Sequence, residues 1–180
     1  MTGHLALLRG INVGGRNKVP MADLRDVFES GGYSSVRTYI QSGNVLFDAD
    51  GPTAAIESDL EAVIARELGM ELVVIVCSHR QLRSVVRDAP DGFGEQPETF
   101  HSDVVFLKAP LTPAEAMHAV QTRDGVDRAW TGRHVIYFQR LSAQRARSRL
   151  SRVVGTPQYQ RMTIRNWATT TKLLALLEET

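Results

Sequence analysis

The chain has 180 residues, 43% of them apolar, and a formal net charge of +1, which fits one domain or two small subdomains around a packed core. No window approaches the roughly 18 apolar residues of a membrane span, and the apolar run within Met1–Arg9 is too short for a signal peptide, so a cytoplasmic location is expected. One cysteine, Cys77, excludes an intrachain disulfide and any multi-cysteine metal site.

In chain order, the periodicity predicts a strand over 2–9, a loop, and a helix over 20–30 with Met21, Leu24, Val27 and Phe28 on one face and Gly31-Gly32 as its stop. A strand over 35–41, a turn, a strand over 44–48, a helix over 53–69 striped by Ile56, Leu60, Val63, Ile64 and Leu68, and a strand over 71–77 follow. The order βαββαβ is the ferredoxin-like arrangement, an antiparallel sheet with both helices on one face. Residues 1–78 therefore read as a first subdomain.

The loop Gly10–Val19 is rich in glycine and cations. Exposed backbone N–H groups, close main-chain approach at glycine, and flanking Arg9, Arg16 and Lys18 suit a phosphate or carboxylate. The P-loop pattern is missed, because Gly15 is followed by Arg16-Asn17, and the dinucleotide pattern G-x-G-x-x-G is absent. No His, Cys, Asp or Glu stands in the loop to move a proton or attack a substrate. A structural role competes with binding: Asn12 and the glycines would occupy left-handed backbone positions, with amide side chains satisfying the loop's own main chain.

After a helix over 79–89 and an irregular segment, which make 79–101 a connector, the order repeats. Strand 102–108, helix 113–122, strands 125–130 and 133–139, helix 142–154 and a strand over 160–164 give a second subdomain over 102–165. A last helix, 167–178, lies within 166–180, with Asn166 as its N-cap and Trp167 as its apolar anchor. The two inner hairpins turn on Ser42-Gly43 and Thr131-Gly132. The fold class is thus α+β, two tandem ferredoxin-like subdomains with an added C-terminal helix.

In such a unit the first two strands run the same way, so Arg9–Lys18 and the turn Gln41-Ser42-Gly43-Asn44 are expected to meet at one sheet edge. Gln41, Ser42 and Asn44 offer donors and acceptors for hydroxyls, amides or base edges; simple turn chemistry explains them equally. Two further segments raise other readings. Arg128 to Lys172 carries ten basic and no acidic residues, a positive field for an anionic partner or for the acidic first part of the same chain. Arg145, Arg149 and Arg152 would share a face of helix 142–154, suited to nucleic-acid backbones or to a solvated ion-pair surface. Cys77 reads as a small core residue. The five histidines lack ligand spacing, so no metal is expected. Acid–base candidates near the loop are limited to Asp23, Asp26 and Asp48.

Leu7–Gly15 with Asn17–Met21, and Arg37–Val45, resemble closely the signatures of the bacterial family catalogued as domain of unknown function 1697. Thr163–Trp167 with Thr169 and Lys172-Leu173 is similar to that family's C-terminal motif. Many members have Lys where this chain has Arg16, which keeps the charge and adds bidentate geometry. The resemblance implies two ferredoxin-like subdomains and supplies no substrate, cofactor or catalytic residue.

Three functional readings follow. In the first, a small phosphate-bearing ligand is neutralised by Arg9, Arg16 and Lys18, approached by the Gly14 and Gly15 amides, and oriented by Asn12, Gln41, Ser42 and Asn44, without a cofactor. In the second, the loop and the basic region form a nucleic-acid-associated module. In the third, the loop is a structural clasp. Nothing in the sequence decides the oligomeric state or points to a membrane.

Overall fold

A computed structural model describes residues 2–179. They form two α+β units, one built from the chain up to Leu82 together with the segment from Leu173, the other from Arg83–Lys172. The division differs from the predicted one in two places. The connector 79–101 is split, most of it joining the second unit, and the last helix is shared between the two.

In the first unit, β1 (Thr2–Leu8), α1 (Met21–Ser30), β2 (Ser34–Tyr39), β3 (Asn44–Ala49), α2 (Thr53–Leu68) and β4 (Val74–Ser78) follow one another. The sheet order is β2-β3-β1-β4, and each neighbouring pair is antiparallel. The central strand β1 reads as a continuous apolar run because it is covered on both faces: Leu5, Ala6, Leu7 and Leu8 are all buried. Ala6 and Leu8 join Val45, Phe47, Val74 and Val76 in one cluster with Leu24 and Phe28 of α1 and Ile56, Leu60 and Ile64 of α2, so both helices lie on one face. Helix α2 stops where Gly69, at φ 65°, donates its N–H to Ala65 O. On the opposite face, the Arg37 guanidinium donates to Leu176 O at 2.8 Å, which holds the end of the last helix.

Strand β4 is a sheet edge, and its outward N–H groups find partners on neighbouring helices. Val74 N–H donates to the Glu61 carboxylate and Val76 N–H to the Glu57 carboxylate, each at 2.9 Å; Ser78 N–H donates to Gln81 Oε1 at 2.8 Å. Acceptors on the covering helix thus satisfy an edge that would otherwise present free donors. Cys77 lies buried between them, and burial together with the nearby Glu57 charge pushes its thiol up to about 12, which makes it an inert core residue.

The second unit contains β5 (Phe100–Leu107), α4 (Pro113–Ala119), β6 (Asp127–Thr131), β7 (Val135–Leu141) and β8 (Met162–Asn166) in the sheet order β6-β7-β5-β8. Helix α3 (His79–Arg87) leads into it and α5 (Trp167–Glu178) leaves it. Thr112 and Glu115 form a capping box with Pro113 in the first turn of α4. Asn166 caps α5 by accepting from Thr169 N–H at 2.7 Å. One sheet face packs on α4 and on Leu150 and Val153. The other is covered by the segment before β5, where Phe93 meets Trp130, Tyr137 and Trp167 edge to face and the Tyr137 hydroxyl donates to Val85 O at 2.6 Å.

One expected element is replaced. No α-helix spans 142–154; three 3-10 helices, Ser142–Arg147, Leu150–Gly155 and Pro157–Arg161, occupy the connection. Gln144 at φ −117° and Ser148 at ψ 144° break the helical path, and the Asp127 carboxylate draws in Arg149 N–H at 2.9 Å. The two buried apolar residues there, Leu150 and Val153, are three apart, the spacing that eclipses in a 3-10 turn. Arg145, Arg149 and Arg152 therefore do not form a stripe on one α-helical face.

Replacing Glu57 by Ala leaves the Val76 N–H buried without its acceptor, at a cost of about 1–3 kcal/mol. Urea unfolding of Glu57→Ala should show that loss, and an unchanged midpoint would contradict the role assigned to this carboxylate.

Candidate functional site

The cationic loop leaves β1 between two neighbours. Leu8 N–H donates to Gly43 O and Arg9 N–H to Val73 O, both at 2.9 Å, so the loop's root is tied to the β2–β3 turn on one side and to the start of β4 on the other. Gly43 is essential to that closeness. It sits at φ 75°, and a Cβ there would stand 3.0 Å from Leu8 Cβ and 3.1 Å from Leu8 O. The segments expected to meet are brought together.

Within the loop the chain folds into a small hairpin. Asn12 N–H donates to Asn17 O and Arg16 N–H to Val13 O, with Gly14 and Gly15 at φ 58° and 75°, as a two-residue turn of the primed type requires. Asn12 and Asn17 also take positive φ. The Asn12 amide clamps the hairpin's return: Nδ2 donates to Val19 O at 3.0 Å while Oδ1 accepts from Val19 N–H at 2.9 Å. Asn17 Nδ2 donates to Gly10 O at 3.1 Å. Apolar Ile11 and Val19 are buried at the two ends and fix the hairpin to the core.

These contacts separate the predicted residues into two groups. Asn44 is buried, and its Nδ2 donates to Tyr39 O and to Ser42 Oγ; Asn12 holds the loop's own main chain. Asn12, Ser42 and Asn44 thus shape the backbone, the structural role that the sequence offers beside ligand contact. Asn12 keeps a place in the wall of a cavity of about 310 Å³, with Gly15, Lys18, Val19, Pro20 and Gln41. Gln41, Arg16 and Lys18 are exposed, Arg9 is half-buried, and neither Arg16 nor Lys18 pairs with a carboxylate among the described residues. Pro20 starts α1 without a side-chain cap, so the first amides of that helix lie beside the same cavity, where they favour negative charge. Asp23 and Asp26 sit in α1, and Arg25 lies 3.9 Å from Asp26. The wall itself holds no His, Cys, Asp or Glu.

The basic region of the second unit is arranged differently. Arg140 lies 3.6 Å from Asp103. Arg161 donates to Ala109 O, Arg152 to Gln121 Oε1 and Arg149 to Thr122 O. Arg165 is buried, donates to Thr163 Oγ1 and Ile164 O, and is pushed down to about 10 by that burial. Carbonyl and amide oxygens within the unit, more than carboxylates, absorb this charge. Among the described residues no helix is long and apolar enough to cross a membrane, and no group of three His, Cys, Asp or Glu side chains is placed to hold a metal ion. A histidine–carboxylate pair, His101 with Asp103, was not singled out from the sequence; its signal is the two-residue spacing at the start of a strand, which puts both side chains on one face.

The turn carries one backbone outlier. Ile40, half-exposed at 51%, stands at φ 49°, a region that costs a β-branched residue on the order of 1–2 kcal/mol. Ile40→Asn, which tolerates that conformation, should raise the melting temperature; a lower one would show that Ile40 contributes more by packing than it loses by strain.

The comparisons with known proteins agree with this architecture. The family described as "Protein of unknown function (DUF1697)" matches residues 1–137, a span that contains both the loop and the turn and leaves Thr163–Leu173 outside. A conserved bacterial protein from Streptococcus pneumoniae has a similar solved structure, with 26% identity, 98% of each chain covered and a TM-score of 0.82. No curated protein matches the chain. With the greater part of its length matched by that family, including the hairpin loop and the turn tied to it, the chain belongs to DUF1697.

Proposed function

We propose that the two units are ferredoxin-like subdomains related by duplication, and that the first binds a small phosphate-bearing anion in the cavity between the Gly10–Val19 hairpin and the β2–β3 turn. Support for the architecture is the shared strand order, second-third-first-fourth, in both sheets. The first unit has twelve residues, 9–20, between its leading strand and first helix where the second has five, 108–112, and long ordered loops in compact folds are more often functional than short connectors.

The observation that carries the binding reading is the position of Lys18 in the wall of a cavity bounded by the uncapped start of α1, with Arg16 exposed on the same hairpin, neither of them having an acidic partner among the described residues. Two cations and a helix start supply attraction that screening weakens but does not abolish at this range. Lys18 gives a point charge and Arg16 a planar fork that matches phosphate oxygens. Gln41 adds donors to the opposite wall. With no His, Cys, Asp or Glu in the wall, rate enhancement here would come chiefly from cations and amides preset around developing negative charge. The nucleic-acid reading loses support, because the arginines it relied on share no helix face and several are spent on oxygens of their own unit.

Binding of inorganic phosphate and of sugar phosphates, measured by calorimetry, should fall at least tenfold, about 1.4 kcal/mol, in Arg16→Ala/Lys18→Ala. Its melting temperature should stay within about 2 °C of the wild type. A drop in melting temperature with binding intact would instead make the hairpin a structural clasp.

A further inference from the structure

Each sheet has two edge strands, β2 and β4 in the first unit and β6 and β8 in the second. A free edge is a template for another strand, and proteins blunt it with bulges, prolines, charges or side chains that occupy its donors and acceptors. Three of these edges are blunted. Strand β2 shifts register between Ser34 and Arg37, with Ser35 at φ 54°. On β4 the outward N–H groups are taken by Glu61, Glu57 and Gln81. On β8 the Ile164 and Asn166 carbonyls accept from Arg165 Nη1 and Thr170 Oγ1.

Strand β6 has none of these devices. Its register with β7 runs unbroken over Asp127–Thr131, and the strand contains neither Pro nor Lys. The phase of that ladder is set at its two ends, where Leu141 N–H donates to Val126 O at 2.9 Å and Gly132 N–H to Val135 O at 2.8 Å. Opposed residues of an antiparallel pair exchange hydrogen bonds at every second position, so Arg128 and Trp130 bond to β7 while Ala129 and Thr131 turn their N–H and C=O groups outward. Among the described residues, neither Ala129 nor Thr131 gives these groups to another partner. Asp127 has the same phase, but its N–H is already donated to Arg123 O at 2.8 Å, and the N–H groups of Arg123 and Arg149 close on its carboxylate. The usable edge is therefore Ala129 and Thr131, with two donors and two acceptors.

We propose that β6 is a self-association edge, at which a second copy of this chain adds its own β6 antiparallel, about a two-fold axis at Trp130. That axis sets Ala129 opposite the partner's Thr131, and Thr131 opposite the partner's Ala129, so that each N–H meets a C=O and none of these groups is left over. Moving the axis by one residue would call instead on Asp127, already engaged, or on Arg133 of the β6–β7 turn. The side chains fit the same axis. Arg128 is exposed and Trp130 half-buried, and by alternation they share one face of the strand. The two Trp130 rings come to the closely spaced, non-hydrogen-bonded position. Arg128, with no carboxylate partner among the described residues, stands diagonal to the partner's Trp130, where a guanidinium is attracted to the indole face. A pairing this short belongs to the weak class of interfaces, with a dissociation constant on the order of 100 µM. It is independent of the anion cavity.

Sedimentation of the full chain from about 5 µM to about 1 mM should show the mean mass rising from one chain toward two, with a midpoint on the order of 100 µM. The Ala129 and Thr131 amides of the wild type should exchange with deuterium about fivefold more slowly at the upper concentration than at the lower, following the fall in free monomer. Ala129→Pro removes an outward donor and leaves the β7 ladder intact, so it should keep the wild-type circular dichroism and remain a single chain at every concentration. If that variant does not fold, the exchange measurement on the wild type carries the test by itself. The proposal is overturned if the wild type is still monomeric at about 1 mM, if a dimer forms while exchange at Ala129 and Thr131 is unchanged, or if folded Ala129→Pro associates as the wild type does.

Discussion

The hydrogen bond from Leu8 N–H to Gly43 O ties the end of β1 to the β2–β3 turn, and the first unit's cavity depends on it. It follows from strand order. With β3 inserted between β1 and β2, the first two strands run the same way, and the exit of β1 comes out beside the turn that joins β2 to β3. Gly43 makes the approach close enough, since any side chain at that φ would press on Leu8. From that fixed root the hairpin rises as a rigid piece, its two ends pinned by Ile11 and Val19 and its return clamped by Asn12. Arg16 and Lys18 are thereby carried on a scaffold whose backbone is held by its own hydrogen bonds, so the proposed anion would find little conformational freedom left to remove.

The same economy explains why the positive charge of the second half behaves otherwise. Arginine offers five donors in a flat fork, and where the main chain turns in 3-10 helices its carbonyls lack the regular partners of an α-helix. Arg149, Arg152 and Arg161 reach across to carbonyl and amide oxygens of the loops that flank α4, and so fasten an irregular connection to its surroundings. Net charge in a sequence window is thus a poor guide to where a free positive surface lies.

Much of the fold was legible because its apolar residues keep strict periods. The stripe of α2 and the unbroken Leu5–Leu8 run left little choice of element, and the Gly31-Gly32 stop and the Ser42-Gly43 turn marked the bends. Segment 142–154 misled because Ala143, Ala146, Leu150 and Val153 keep a helical spacing, while only Leu150 and Val153 among them are buried, a pair three apart that a 3-10 turn satisfies as well. Amide side chains are harder to read from sequence. Asn12 and Asn44 look identical in a sequence whether they face a ligand or their own backbone, and burial, which decides it, depends on distant strands. His101 escaped notice because the strand was expected to begin at 102, one residue past it, while β5 begins at Phe100. That shift hides the alternation that places it beside Asp103.

The account's central claim is that an ordered hairpin holds uncompensated cations over a cavity at the start of α1. Amide chemical shifts followed by NMR during titration with inorganic phosphate test it most directly. The claim predicts saturable changes concentrated at Gly14–Lys18, Gln41 and the first turn of α1; changes spread over the arginines of residues 128–172, or none that saturate, would contradict it.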